Sequence, residues 1–140
     1  MESYKVVSAR TRYERHYPGQ PLCWKAAAFA HEVNELYEST SLESTDISSA
    51  SEDSREIVSF GDSMEERTAV RIVSEQLSAT PKSVLFVSNP TPMQILGQLH
   101  MLENHLSFVC GHEKSLDLEI TKSQAQKFAD KYFQSVARLL

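Results

Sequence analysis

Two acidic residues follow a short apolar run near the middle of the sequence. The run is Ile57–Phe60, and after it come Gly61, Asp62 and, one helical turn further on, Glu66. A spacing of four residues places Asp62 and Glu66 on one face of a helix that begins here. Carboxylates so placed are the hard oxygen ligands that Mg²⁺ takes, one or two of them together with water. The spacing therefore predicts a magnesium site, with helix capping by the same two residues as the alternative.

Two further apolar runs end in polar residues. Tyr4–Val7 is followed by Ser8 and Arg10, and Ser83–Val87 is followed by Ser88. In open parallel sheets, ligands bind at the carboxyl ends of the strands. We therefore expect these polar residues at one edge of a sheet. Arg10 is a candidate contact for an anion, with a solvated position on a helix as the alternative.

Helical patterns alternate with the apolar runs. The apolar spacing predicts four helices, at Trp24–Tyr37, Met64–Leu77, Pro92–Leu102 and Gln124–Leu140. Three of them begin with a capping box, formed by Ser63 with Glu66, Thr91 with Gln94, and Thr121 with Gln124. Leu106–Cys110 is a weaker fourth strand. The alternation predicts an α/β fold, a three-layer α/β/α Rossmann-like sandwich with a mainly parallel sheet of about four strands.

Composition excludes several classes of protein. The chain has 140 residues, 41% of them hydrophobic, which suits one globular domain. No apolar run approaches the ~20 residues that span a bilayer, and residues 1–10 show no secretion signal. Cys23 and Cys110 are the two cysteines, too few for a disulfide framework or a four-cysteine zinc site. We therefore predict a cytoplasmic protein with reduced thiols and no membrane partner.

One segment accounts for the acidity of the chain. Residues 38–54 contain five acids, seven serines and no base, and the whole chain has a formal net charge of −5. Such a segment buries too little apolar surface to order itself, so it is predicted to be a flexible insert. Its serines, flanked by acids, are candidates for phosphorylation. The other residues balance in charge and show no basic stripe, so no nucleic-acid partner is predicted.

The order of these signals resembles the haloacid dehalogenase-like (HAD) superfamily. The resemblance covers residues 4 to 104 and rests on VVSAR, then PLCWKAAAF, then IVSFGDSMEER. It implies that Ser8 binds phosphoryl oxygens and that Lys25, at a helix start, neutralises the charge of an aspartyl-phosphate. It also implies that Asp62 and Glu66 hold Mg²⁺. The implied catalytic residues are thus Ser8, Lys25 and Asp62, and the implied phosphate contacts are Ser8, Arg10 and Lys25.

The sequence departs from the family in one respect. HAD phosphatases use an aspartate nucleophile in a D-x-D-x-[TV] motif, on a strand that precedes the serine strand. Here three residues precede Tyr4, so we expect the chain to be the C-terminal part of a hydrolase core. We also expect residues 1–140 to form a single domain that is inactive alone. Asp117-Leu-Glu119-Ile-Thr121 matches the motif's spacing, but it lies elsewhere in the chain, and capping of a helix accounts for Thr121.

The missing strand has a structural consequence. In the family's sheet it lies between the serine strand and the Gly-Asp strand. We therefore expect Tyr4–Val7 to pair directly with Ile57–Phe60, or another chain to fill the gap as a homo-oligomer or a partner strand. The expected ligand is a phosphorylated small molecule or a phosphoprotein. The alternative function is a non-catalytic protein-interaction module on the same scaffold.

Overall fold

A parallel sheet of three strands forms the centre of the fold. The structure, a computed structural model, describes residues 4–43 and 55–140. Its strands are β1 (Glu56–Gly61), β2 (Thr80–Leu85) and β3 (Leu116–Glu119), in the order β1-β2-β3. Both neighbouring pairs are parallel, and Lys82 of the central strand lies between Val58 and Leu116. The described residues thus confirm an α/β fold with a parallel sheet.

Five helices in the described part of the chain surround the sheet. They are α1 (Ala9–Tyr13), α2 (Pro21–Glu43), α3 (Met64–Gln76), α4 (Pro92–Gly111) and α5 (Lys122–Ala137). All three predicted capping boxes are confirmed, with both reciprocal hydrogen bonds present at the starts of α3, α4 and α5. Among the described residues, no helix combines the length and apolar character that a membrane crossing requires.

Alternation along the strands decides which helix each face of the sheet contacts. Ser83 of β2 and Asp117 of β3 lie on the face that α3 covers, where Arg67 donates to Asp117. Val84 lies on the opposite face and joins the main apolar cluster with Val109 of α4 and Ala125 of α5. The helices therefore pack on both faces of the sheet.

Two predicted strands are wrong. Tyr4–Val7 has no regular secondary structure and pairs with no described strand, and Tyr4 and Val6 are 92% and 95% exposed. Leu106–Cys110 lies within α4. In that run Val109 is 2% exposed while Leu106 and Phe108 face solvent. Burial on one helical face satisfies the apolar run better than an alternating strand pattern would, so the described sheet has three strands rather than four.

Other boundaries also differ from the sequence predictions. The central strand is Thr80–Leu85 rather than Ser83–Val87, and β3 was not predicted. Only Leu116 and Leu118 of β3 are apolar, which makes a weak strand signal in four residues. The predicted flexible insert at 38–54 is helical as far as residue 43. The rest of that prediction, residues 44–54, lies outside the described residues.

Candidate functional site

An open cleft of about 820 Å³ lies at the carboxyl ends of the three strands. Each strand end contributes polar residues to it, among them Asp62 after β1, Ser88 and Asn89 after β2, and Glu119 at the end of β3. The expectation that polar strand ends share one edge is therefore met for Asp62 and Ser88. Lys122 was missed because β3 was not predicted, and Glu119 was noted only within the Asp117–Thr121 spacing match, not as a strand end.

Lys25 and Glu66 come together at the end of β1. The Lys25 ammonium near the start of α2 forms an ion pair with Glu66 of α3, and Nζ donates to Oγ of Ser63 at 2.8 Å. Ser63 also donates through Oγ and backbone N–H to Oε2 of Glu66, at 2.6 and 3.1 Å. Both carboxylate oxygens of Glu66 therefore already accept hydrogen bonds, and both side chains of the pair are about three-quarters buried.

Hydrogen bonding determines the protonation of Glu66. Partial burial by itself raises the pKa of the Glu66 carboxyl, since it disfavours the charged form. Hydrogen bonds from Lys25 and Ser63 outweigh that effect and hold the pKa below its ordinary value. Glu66 is thus an anion at neutral pH, and the cation of Lys25 is fixed beside the end of β1.

Asp62 differs from Glu66 in its surroundings. It is exposed, lines the cleft and has no partner among the described residues. The N-cap of α3 is Ser63, so Asp62 is not used for capping. An unpaired carboxylate in a cleft has lone pairs available for a hard cation. The chemistry of Asp62 therefore fits a magnesium ligand, whereas Glu66 would have to give up its hydrogen bonds to become one.

Ser8 and Arg10 are engaged with their own helix. Ser8 is exposed and caps α1, with Oγ donating to Oγ1 of Thr11 at 2.8 Å and accepting from its N–H. Arg10 forms a two-bond ion pair with Glu14 and lies 5.6 Å from the ring centre of Trp24. No described contact joins Ser8 or Arg10 to Lys25. The structure therefore brings together the predicted residues Lys25 and Glu66, but not Ser8 and Arg10.

The motif-like residues of β3 have structural partners. Asp117 accepts from Arg67 at 2.6 Å and from Ser83 at 2.9 Å, and it also forms an ion pair with Arg71. These contacts, led by Arg67, hold the pKa of Asp117 below its ordinary value. Thr121 caps α5. Asp117 thus joins α3 to the sheet and does not line the cleft, whereas Thr121 lines the cleft and begins a helix.

A second group of possible metal ligands lies on α2. His31, Glu32 and Glu35 can direct one atom each to a common point, and they are the one such group in the part of the chain that the structure describes. Their carboxylates are already paired with Lys5 and Arg12. Exposed and half-buried acids near the surface that already have cations as partners are ordinary ion pairs, and no metal assignment follows.

No family model, curated protein or solved structure matches this chain.

Proposed function

We propose that this chain is part of a HAD-like hydrolase domain that binds Mg²⁺ and a phosphoryl group at the carboxyl ends of its strands. In this proposal Lys25 contacts the phosphoryl oxygens and Asp62 ligates the metal. Glu66 holds Lys25 in place and joins the metal ligands through exchange of its hydrogen bonds. Ser8 and Arg10 are the proposed further phosphate contacts, reached by movement of the segment before α1.

One observation carries the proposal. The Lys25 cation, paired with the partly buried Glu66, donates to Ser63, and Ser63 is the chain neighbour of Asp62, an exposed carboxylate that lines the cleft at the carboxyl ends of the strands. Lys25 offers a positive charge to an anion, and Asp62 offers oxygen to a cation. A phosphoryl group with Mg²⁺ needs both charges within one site. The three-layer Rossmann-like architecture with about four strands is part of the same proposal. The described sheet has three strands, which supports only the coarser α/β class.

The chain alone is proposed not to hydrolyse phosphate esters. A covalent phosphatase mechanism requires a nucleophilic carboxylate, which divides the reaction into two easier steps. The one spacing match to the nucleophile motif, at Asp117, is committed to Arg67 and Arg71. Turnover therefore depends on a carboxylate that another segment supplies. A phosphorylated small molecule or a phosphoprotein remains the proposed substrate class, and the cytoplasm the proposed location.

Calorimetric titration with Mg²⁺ tests the metal half of the proposal. We expect millimolar binding by the unaltered chain and at least about tenfold weaker binding by Asp62→Asn, a change of ~1.4 kcal/mol. Glu75→Gln is the matched control, because Glu75 is an exposed carboxylate near the far end of α3. Equal binding by all three proteins, or by none, contradicts the proposal.

The alternative function, a non-catalytic interaction module, is favoured by a different observation. The outer edge of β1 has no partner strand among the described residues.

A further inference from the structure

A small apolar pocket lies between α4 and the sheet, on the face opposite to α3. Its volume is about 200 Å³, and its walls include Val84 of β2, Leu118 of β3 and Val109 of α4. Val84 and Val109 are 5% and 2% exposed and belong to the main apolar cluster. Protein interiors contain few voids larger than a water molecule. A pocket of this size beside the core is therefore a feature that close packing alone does not explain.

The walls of the pocket suit an aromatic ring better than water. A water molecule held inside a protein needs about two to four polar partners, whereas most of these walls are apolar side chains. Met101 and Phe108 are among them, and both side-chain types make favourable contacts with rings. Phe108 is 56% exposed. A ring that enters the pocket would therefore also remove part of Phe108 from water.

His105 gives the pocket a hydrogen-bond acceptor. Its Nδ1 lies 2.8 Å from the backbone carbonyl oxygen of Met101. A carbonyl group only accepts, so Nδ1 carries the proton, and a neutral imidazole then keeps a lone pair at Nε2. The ring packs edge-on against Phe128, and no contact within the described residues uses Nε2. His105 therefore offers a free acceptor to a ligand in the pocket that it lines.

Gln124, which also lines the pocket, gives it a hydrogen-bond donor. In the capping box of α5 its Oε1 accepts from the backbone N–H of Thr121 at 3.0 Å and from the Thr121 hydroxyl at 3.3 Å. A backbone N–H only donates, so these bonds fix which end of the amide is oxygen. The Nε2 group is left with two N–H donors that have no acceptor in the described part of the chain. One hydroxyl group can donate to His105 and accept from Gln124.

Charge favours a neutral ligand. The described residues that line the pocket include one carboxylate, Glu119, and no lysine or arginine. The Glu119 carboxylate already lies 3.8 Å from the guanidinium of Arg67. A ligand carboxylate or phosphate would lose its hydration in the pocket without gaining a counter-charge, which is costly. A hydroxyl group that makes both of its hydrogen bonds avoids this cost.

We propose that this pocket binds a small phenol, an uncharged aromatic ring that carries one hydroxyl group. The ring packs against the apolar walls, and the hydroxyl group donates to His105 and accepts from Gln124. An apolar cavity of about 150 Å³ holds benzene, so a pocket of about 200 Å³ takes roughly eight non-hydrogen atoms. This proposal does not rest on the proposed phosphoryl site, because neither Lys25 nor Asp62 lines the pocket.

Calorimetric titration of the full chain with p-cresol tests the proposal, because its ring, methyl group and hydroxyl group match that size. We expect saturable binding with a Kd of about 1 mM or tighter, which is ordinary for so small a ligand. Toluene lacks the hydroxyl group and is expected to bind at least about threefold more weakly, as for lost hydrogen bonds. The anion 4-methylbenzoate is also expected to bind more weakly. Absence of saturable p-cresol binding, or equal binding of either comparison compound, overturns the proposal.

A variant of His105 separates recognition of the hydroxyl group from binding of the ring. His105→Phe removes the acceptor and keeps a ring against Phe128, so p-cresol should bind at least about threefold more weakly while toluene binds equally well. His100→Phe is the matched control, because His100 also packs edge-on against Phe128 but does not line the pocket. It should bind p-cresol as the unaltered chain does. Unchanged p-cresol binding by His105→Phe, or an equal loss in His100→Phe, contradicts the proposal.

Methyl NMR signals locate the bound ring. An aromatic ring shifts the signals of methyl groups that it contacts, so p-cresol is expected to shift those of Met101, Leu102 and Leu118, which line the pocket. Val70, buried on α3, is the control and should not shift. Leu102→Phe places a ring inside the pocket and is expected to abolish binding. Shifts confined to residues outside the pocket would show that p-cresol binds elsewhere, against the proposal.

Discussion

A methyl group built on Gly61 would lie 2.9 Å from Cδ of Glu66 and closer still to its Oε2. The backbone of Gly61 has no positive φ, so conformational freedom does not explain the glycine. Space explains it, because the Glu66 carboxylate occupies the volume that a Cβ would need. The glycine thus allows Glu66 to reach Ser63 and Lys25.

Gly61→Ala is expected to displace Glu66 while keeping the fold. The obstructing atoms are the far end of a flexible side chain, which can move at the cost of its hydrogen bonds. Loss of those bonds should lower the free energy of unfolding by about 1–2 kcal/mol in a denaturant titration. Gly111→Ala is the control, since nothing lies within 4 Å of a Cβ at that position. Equal stability of the two variants would contradict this account of Gly61.

Lys25 and Glu66 are expected to be energetically coupled. A double-mutant cycle with Lys25→Met and Glu66→Gln measures the coupling in the free energy of unfolding. Each single change leaves a partly buried partner without its counter-charge. The losses of unfolding free energy in the two single variants should therefore add up to more than the loss in the double variant. We expect a coupling of about 1–3 kcal/mol. A sum of single losses that equals the double loss would show that the pair does not interact.

Acid is expected to destabilise the fold through two carboxylates. The pKa values of Glu66 and Asp117 lie below their ordinary values of 4.5 and 3.8. Both groups therefore stabilise the folded state above these ordinary values, and the stabilisation is lost as the pH falls below them and through the lower pKa values of the folded state, because the unfolded state takes up protons first.

Denaturant titrations between pH 7 and pH 3 measure this dependence. Asp117→Asn should lower the free energy of unfolding at pH 7, and it should make the further decrease of that free energy below pH 4 less steep. Asp130→Asn, whose carboxylate accepts from the neutral Gln126, should leave the profile nearly unchanged. Stability that rises as the pH falls from 5 to 3 would be the opposite of what these contacts require.

Helices α4 and α5 are expected to be intolerant of a larger residue at their crossing. A methyl group on Gly97 would lie 2.8 Å from the backbone carbon of Ala125 and closer still to its oxygen. Backbone cannot rotate away as a side chain can, so the helices must separate. Gly97→Ala should cost about 1–3 kcal/mol, measured against Gly111→Ala at the end of the same helix. A neutral effect would mean that the helices are less closely packed.

The sequence predicts the helices better than the strands, for a physical reason. Capping boxes and Pro92 are local signals, so the starts of α3, α4 and α5 are visible in a few residues. A strand depends on its neighbours, which the sequence does not display. Tyr4–Val7 has strand-like residues but no adjacent strand within residues 4–43 and 55–140, and β3 has few apolar residues but a neighbour in β2.

In the candidate site, too, local signals are visible in the sequence, whereas contacts between distant residues are not. Lys25 and Glu66 meet because α2 packs against α3, and their spacing of 41 residues gives no sign of that contact. The resemblance to HAD-like proteins supplied the expectation. The roles expected of Ser8 and Arg10 depend on contacts across the fold that the sequence does not reveal, and here those residues contact Thr11 and Glu14 instead.

Linkage between Mg²⁺ and phosphate tests the central claim most directly. Inorganic phosphate is titrated calorimetrically into the chain with and without saturating Mg²⁺. If Lys25 and Asp62 form one site, Mg²⁺ should tighten phosphate binding at least about fivefold, and phosphate should tighten Mg²⁺ binding by the same factor. Lys25→Gln should remove this coupling, while Lys127→Gln on the exposed face of α5 should keep it. Phosphate binding that ignores Mg²⁺, or coupling that survives in Lys25→Gln, would contradict the proposed site.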